Sequence, residues 1–225
     1  MRWILVLLSA AVGLMLCSPP LASGDDGEAY RIGQGAYEVH QVDVVVRDEA
    51  RGKDLELRVR MSVAQDETED AARALVLFSH GAGGSNAAFG DLQELWASHG
   101  YVTIALTHAD SIELRRRRDG DVPPNLRSRE GLSQLRRSVD LAGRVRDCTF
   151  VLDALDLIRD AVVDASGRGF EIDPERIAIA GHSAGAMTTQ LCIGVRARGA
   201  GIGKRGLRLT SIGDDRFRAG IIISG

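Results

Sequence analysis

The segment Gly181-His182-Ser183-Ala184-Gly185 places a serine between two glycines, after an apolar run and before a helical pattern. In such a strand–turn–helix context, the G-x-S-x-G pattern lifts the serine hydroxyl above a sheet on a strained turn. The turn also directs the Ala184 N–H and a helix N-terminus toward a developing oxyanion. Chance matches are easy in a chain with 26 glycines, but the flanking elements favour a nucleophile at Ser183.

A second glycine-rich turn, residues 80–84 (HGAGG), follows an earlier apolar run. An oxyanion hole needs a second N–H from the loop after a preceding strand, and we expect Ala82 to supply it. A strand followed by glycines and a helix also describes a dinucleotide-binding loop. Asn86 stands where that loop needs its third glycine, and no P-loop pattern is present, so the oxyanion interpretation is favoured.

Hydrophobic periodicity predicts the elements that position these two turns. Alternating residues in 42–46 and 55–63 predict a hairpin of half-buried strands, with Glu56, Arg58, Arg60 and Ser62 on its polar face. Unbroken apolar runs predict buried strands at 74–78, 101–106, 177–180 and 219–223. Helices are expected at 89–99, at about 133–163 and directly after Ser183, with a long loop at 108–130. This order predicts an α/β fold with a mostly parallel central sheet, an N-terminal antiparallel hairpin and helices on both faces.

The first 24 residues have the pattern of an export signal. Arg2 precedes the apolar run 3–16, which is short for a membrane span, and prolines break the run before the small residues Ala22-Ser23-Gly24. An uncleaved anchor is one alternative, and a lipoprotein site at Cys17 is another, disfavoured by the bulky Leu16. We expect an exported protein, periplasmic or extracellular, whose domain of residues 25–225 has no membrane span after cleavage.

Composition limits the partners. A net charge of −3 and 4% aromatic residues give no sign of nucleic-acid binding. No cluster of His, Cys and Asp has metal-ligand spacing, so no metal or cofactor is expected.

Ten arginines lie within 115–146, and for this run a solvated surface is favoured over an anion-binding site. Cys148 and Cys192 are interpreted as buried free thiols, although export permits a disulfide. The oligomeric state stays open.

Several motifs together resemble a known family. They are Phe78-Ser79-His80-Gly81, Ala97-Ser98-His99-Gly100-Tyr101-Val102, Arg144 with Asp147, Phe150-Val151-Leu152-Asp153 and Gly181-His182-Ser183-Ala184-Gly185-Ala186. Over roughly residues 70 to 225 the chain resembles the predicted dienelactone-hydrolase group of the α/β-hydrolases. That group is similar to bacterial platelet-activating-factor acetylhydrolases and cutinase-like polyesterases. The resemblance implies hydrolysis of a small or lipid-like carboxylic ester through an acyl-enzyme. Its nucleophile would be Ser183, and its oxyanion donors Ala82 and Ala184.

The partners of such a serine are not evident. In this fold the acid and then the histidine follow the nucleophile, yet no histidine follows Ser183 in the sequence. His108 ends a predicted strand and is a minor candidate for the base, while Asp214 and Asp215 are interpreted as turn residues. We therefore expect a C-terminally truncated chain that lacks the last strands, leaves 217–223 as an unpaired edge strand and has little activity alone. A non-catalytic remnant is the alternative.

Cleavage of the predicted signal would reduce the mass of the exported protein. The mature protein should begin near Asp25, because the small-residue site ends at Gly24. Intact-mass measurement on exported protein checks this, and a mass that includes residues 1–24 would contradict it.

Overall fold

The computed structural model describes residues 4–8, 33–63, 72–120, 125, 127–195 and 212–223. The predicted cleavage site at 22–24 and Cys17 lie outside these residues. The strands are β1 Ile4–Leu8, β2 Val39–Asp48, β3 Lys53–Ser62, β4 Arg73–Ser79, β5 Val102–Thr107, β6 Ile172–His182 and β7 Ala219–Ile223. The helices are α1 Gly90–Ser98, α2 Ile112–Asp119, α3 Arg129–Ser138, α4 Leu141–Asp153, α5 Leu155–Ser166 and α6 Ala184–Cys192.

Seven strands form one mixed sheet in the order β1-β7-β6-β4-β5-β3-β2. The hairpin β2–β3 is antiparallel, and β3 pairs antiparallel with β5. All the other neighbours pair parallel. Because parallel strands need crossover connections, helices cover the sheet between them. The predicted α/β fold, with its mostly parallel sheet and N-terminal hairpin, is confirmed.

Both faces of the sheet carry a packed apolar layer. Leu77 and Ile104 point to the side covered by α4, α5 and α6. Phe78 and Ala105, their neighbours in sequence, point to the other side, where Trp96 of α1 packs. Successive residues of a strand face opposite sides, so a strand covered on both sides becomes apolar throughout. This explains the unbroken apolar runs in β4 and β5.

Two sequence-based boundaries are wrong. The segment 108–130, predicted to be a loop, contains α2 and the start of α3, and the single helix expected at about 133–163 is three helices. The Ser111 hydroxyl accepts from Leu114 N–H at 3.1 Å and starts α2. The Asp140 carboxylate accepts from Gly143 N–H at 2.9 Å and starts α4 after a break at Val139. Side-chain caps satisfy the free N–H groups of a new helix, and so they outweigh a continuous helical periodicity here.

Two strands differ from expectation in their surroundings. Arg60, predicted to lie on a solvated face, is buried because α1 covers that part of β3, and its Nη1 donates to Gln93 Oε1 at 3.1 Å. In the 225-residue chain β7 has a partner on each side, because β1 pairs with it in parallel, Ile4 opposite Ala219 through Leu8 opposite Ile223. The unpaired edge is expected for residues 25–225, which exclude β1. The sheet partner of β7 thus comes from the segment predicted to be an export signal.

The predictions for the two cysteines and for Asp214 agree with the structure. Cys148 and Cys192 are buried free thiols, as favoured. Asp214 accepts from the backbone N–H of Arg216 at 3.1 Å at the turn before β7, which confirms its interpretation as a turn residue. Within the described residues, the helices are all too short or too polar to cross a membrane.

The face of α5 that packs against the sheet can be tested with two neighbouring residues. Ile158 is fully buried against the sheet, whereas Leu157 is 51% exposed. Ile158→Ala should lower the free energy of unfolding by about 2–5 kcal/mol, because it leaves a cavity in the core. Leu157→Ala should change it by less than about 0.5 kcal/mol. Urea denaturation measures both, and equal losses would contradict this helix orientation.

Candidate active site

Ser183 lies at the turn between β6 and α6 in a strained conformation, with φ 54° and ψ −114°. A positive φ is uncommon for a residue with a side chain and is retained only where the surroundings enforce it. The surroundings here are two glycines. A Cβ on Gly181 would lie 2.2 Å from the Gly185 carbonyl oxygen, and one on Gly185 would lie 1.8 Å from the Ser79 carbonyl oxygen. The steric reason for both glycines is confirmed, and the Ser183 side chain is exposed.

The two predicted oxyanion donors lie on the two turns beside Ser183. Ala184 is the first residue of α6, so its N–H has no partner within the helix. Ala82 lies in the loop after β4, and its neighbour Gly81 approaches the elbow closely. A Cβ on Gly81 would be 3.5 Å from the Ser183 Cβ and 3.2 Å from His182 Nδ1. The fold therefore brings the two glycine-rich turns together.

Apolar side chains flank the same turn. The Phe89 ring is 5.0 Å from the His182 ring and 5.5 Å from the Phe78 ring, measured between centroids. Phe89 also has a positive φ of 57°, which is a strained conformation for a bulky residue. Met187 lies one helical turn after Ser183. Phe89 is 39% exposed and Met187 is 43% exposed, so the surface next to the serine is partly apolar.

The His108 ring is hydrogen-bonded to residues other than Ser183. Its Nδ1 is 2.9 Å from Asp147 Oδ2, and its Nε2 is 2.9 Å from the Ser79 hydroxyl oxygen. Both ring nitrogens are thus engaged away from the elbow. Among the described residues, no histidine ring forms a hydrogen bond with the Ser183 hydroxyl.

Ser79, His108 and Asp147 have the hydrogen-bond order of a catalytic triad, but they are buried. Their exposed fractions are 0%, 0% and 1%. Asp147 is also bound by Lys53 Nζ at 2.6 and 2.7 Å and by Arg51 Nη1 at 2.7 Å. A nucleophile must meet its substrate, and a fully buried hydroxyl cannot. This cluster therefore belongs to the structure beneath the loop at 80–84 rather than to an open site.

The protonation states of the cluster follow from burial and hydrogen bonding. Burial acts to raise the pKa of Asp147, but the hydrogen bond from His108 and the Lys53 charge outweigh it and lower this pKa to about 2. Burial lowers the pKa of His108 despite its hydrogen bond to Asp147. Burial, with the nearby His108 and Arg144, lowers the pKa of His80 well below its ordinary value. At neutral pH the carboxylate is therefore charged and both imidazoles are neutral.

Sequence reasoning missed this cluster, although two signals pointed to it. Asp147 appears in the motif with Arg144, and His108 ends a strand at the ligand edge of the sheet. In the structure Arg144 contacts Asp110 and the His80 carbonyl rather than Asp147. The prediction that the arginines within 115–146 form a solvated surface holds for Arg116, Arg117 and Arg118, which are exposed. It is wrong for Arg144, which is 1% exposed because Asp110 and the His80 carbonyl bind its guanidinium inside the fold. Within the described residues, no three His, Cys, Asp or Glu side chains are grouped so as to hold a metal.

Comparisons with known proteins give structural likeness only. No protein-family model matches the chain, and no curated protein matches it. A ferulic acid esterase from Streptomyces cinnamoneus has a TM-score of 0.42 and 19% identity, over 71% of this chain and 55% of that one. The S-formylglutathione hydrolase FrmB from Staphylococcus aureus has a TM-score of 0.41 and 14% identity, over 72% and 55%. This chain therefore spans about half the length of these structures, and likeness at this level carries no conclusion about its substrate.

The buried imidazoles predict acid sensitivity. In the unfolded chain their pKa returns to about 6.5, so below that pH the unfolded state takes up protons that the folded state does not. Stability must then fall as the pH falls. From pH 7.5 to 5.5 the free energy of unfolding should decrease on the order of 1–2 kcal/mol. Below about pH 4 a further loss follows, because Asp147 stays ionised when folded and is protonated when unfolded.

Urea titrations at several pH values measure this. The groups that face the imidazoles are Arg144, Asp110, Asp147 and, through Asp147, Lys53 and Arg51. His99→Gln is the control, because the His99 side chain is exposed and its ring forms a hydrogen bond to the Gly33 carbonyl, away from the buried cluster. It should keep the full pH dependence. Equal stability at pH 7.5 and 5.5 would show that the imidazoles are not held neutral.

Proposed function

We propose that this protein is a serine hydrolase of carboxylic esters, with Ser183 as its nucleophile. The observation that carries the proposal is the strained, exposed Ser183 at the elbow between β6 and α6. Strained backbone conformations cluster at active sites, so the conformation of Ser183 supports a functional role for it. Attack of the hydroxyl on an ester carbonyl would form an acyl-enzyme and release the alcohol, and water would then release the acid.

Electrostatic stabilisation at the same place supports acyl transfer. The negative charge of a tetrahedral intermediate would develop above the N-terminus of α6, whose partial positive charge favours it. The N–H groups of Ala82 and Ala184 are the proposed donors to that oxyanion. Both belong to backbone that the sheet and the glycine turns hold in place, so little reorganisation is needed during the reaction.

A serine hydroxyl is a weak nucleophile without a base. His108 is not proposed for this role, because Asp147 and Ser79 already occupy its two nitrogens. The proposed mechanism needs a histidine, oriented by an acid, to take the proton, yet the five histidines of the sequence all lie among the described residues and none of their rings is hydrogen-bonded to the Ser183 hydroxyl. The lack of a histidine contact to Ser183 among the described residues favours a second candidate, an inactive remnant that keeps the elbow without the chemistry.

The substrate class proposed is a small or lipid-like ester. Phe89 and Met187 place apolar surface beside Ser183, which suits an acyl or alcohol group of low polarity. We further propose that the protein is exported, as the pattern of residues 1–24 predicts, which would bring it to extracytoplasmic esters.

Phosphonate labelling of the full-length protein tests the nucleophile. A fluorophosphonate should modify Ser183 alone, because it is the exposed serine at the oxyanion turn, and Ser183→Ala should abolish both the label and the hydrolysis of short p-nitrophenyl esters. Peptide mapping locates the label. Heat-unfolded protein is the control for non-specific reaction.

Two results would decide against this function. Label on Ser79 or Ser85 in place of Ser183 would mean that the elbow is not the reactive site. Equal ester turnover by the wild-type protein and by Ser183→Ala would favour the inactive remnant.

A further inference from the structure

Three consecutive carbonyls of the loop after β4 are held by hydrogen bonds. The His80 carbonyl accepts from Arg144 Nη1 at 2.6 Å. The Gly81 carbonyl accepts from Gly84 N–H at 3.1 Å and is also in contact with the His80 ring nitrogen Nδ1. The Ala82 carbonyl accepts from Ile112 N–H at 3.0 Å. A loop with each carbonyl bound has little freedom to rotate its peptide planes.

The orientation of the Gly81 carbonyl determines the orientation of the Ala82 N–H. The Gly81 C=O and the Ala82 N–H belong to one planar peptide unit, and no described peptide bond is cis. In a trans unit the C=O and N–H point in opposite directions. Whatever fixes the direction of the Gly81 carbonyl therefore fixes the direction of the Ala82 N–H.

Hydrogen-bond chemistry determines the tautomer of His80. A carbonyl oxygen only accepts, so Nδ1 must carry the proton that is donated to Gly81. In a neutral imidazole the other nitrogen is then an acceptor. His80 Nε2 meets this condition, because the His108 backbone N–H donates to it at 3.0 Å. The lowered pKa of His80 agrees with a neutral ring.

His108 is held in turn by the buried cluster. Its Nδ1–H donates to the Asp147 carboxylate, and its Nε2 accepts from the Ser79 hydroxyl, both at 2.9 Å. Arg51 of the β2–β3 connection and Lys53, the first residue of β3, hold Asp147. A chain of defined contacts thus runs from the hairpin to the Gly81 carbonyl.

We propose that His80 is the positioning residue that aims the Ala82 N–H at the oxyanion, and that His108 and Asp147 hold His80 in its working orientation. The proposal rests on the proposed function for its catalytic meaning. The triad-like order of Ser79, His108 and Asp147 then serves the oxyanion loop, and none of the three touches substrate.

The tautomer is measured first, on the unaltered 225-residue protein. Long-range ¹H–¹⁵N correlation spectra of ¹⁵N-histidine-labelled protein should show His80 with a protonated Nδ1 and an unprotonated Nε2 at pH 7. The His80→Asn spectrum assigns the signal. This readout does not depend on enzymatic activity, so it stands even if the protein is not an esterase. A proton on Nε2 would overturn the proposal.

Two substitutions of His80 then separate its two contacts. The Asn amide lies as many bonds from Cα as Nδ1, so His80→Asn keeps a donor for Gly81. The Gln amide lies as far as Nε2, so His80→Gln keeps a partner for the His108 N–H and loses the donor to Gly81. Loss of one oxyanion donor lowers kcat about 10²–10³-fold in known cases. We expect kcat to fall at least about 10-fold in His80→Gln with KM within about 3-fold, and most of kcat to be retained in His80→Asn.

The kinetic constants are compared only among variants that match the wild-type protein in circular dichroism and melting temperature. His99→Gln is the control variant and should keep the wild-type kinetics. Equal kcat values for His80→Gln and His80→Asn, or a loss confined to stability, would overturn the positioning role. Absence of esterase activity in the 225-residue wild-type protein is expected without a base for Ser183; in that case the tautomer measurement decides the geometry proposed for His80, and fluorophosphonate labelling of Ser183 decides the proposed function.

Discussion

The Asp147 carboxylate is an ion held almost fully out of water, and the surrounding elements are arranged to satisfy it. Taking a charge out of water costs several kcal/mol unless partners replace the lost hydration. Lys53 and Arg51 come from the hairpin, His108 comes from the end of β5, and Asp147 itself lies on α4. The ion therefore joins three parts of the fold at one point. Removing one partner would leave the buried charge with fewer compensating contacts, which destabilises the folded state.

Close packing at the elbow depends on this arrangement. The first turn of α6 lies so near β4 that Gly185 has no room for a Cβ beside the Ser79 carbonyl. The Ser79 hydroxyl is also hydrogen-bonded to His108. The residue against which α6 packs is therefore part of the buried cluster. The strain at Ser183 is thus maintained by contacts on both sides of the turn, as an outlying backbone conformation requires.

Local patterns account for what the sequence could predict. The hairpin follows from alternation at Val42, Val44 and Val46, and the elbow follows from Gly181 and Gly185, whose role is steric and local. The breaks between α3, α4 and α5 were missed because a cap such as Asp140 acts on a few N–H groups, whereas apolar periodicity continues across it. The burial of Arg60 was missed because it depends on where α1 packs, and the pairing of β1 with β7 was missed because it joins the two ends of the described chain.

The buried cluster was the hardest feature to foresee, since His108 and Asp147 are 39 positions apart and meet only after β5 and α4 have packed. Its comparison with Ser183 separates hydrogen-bond partners from access to a substrate. Ser79 has the partners of a nucleophile, with His108 and Asp147 in order, but it is buried and lies in a regular strand. Ser183 has strain, exposure and a helix N-terminus. A hydrogen-bonded base increases reactivity only when the hydroxyl can reach a carbonyl carbon and an oxyanion donor lies beyond it. Of these two serines, Ser183 is the exposed one and lies at a helix N-terminus, whereas the complete-looking triad of Ser79 is closed to any substrate.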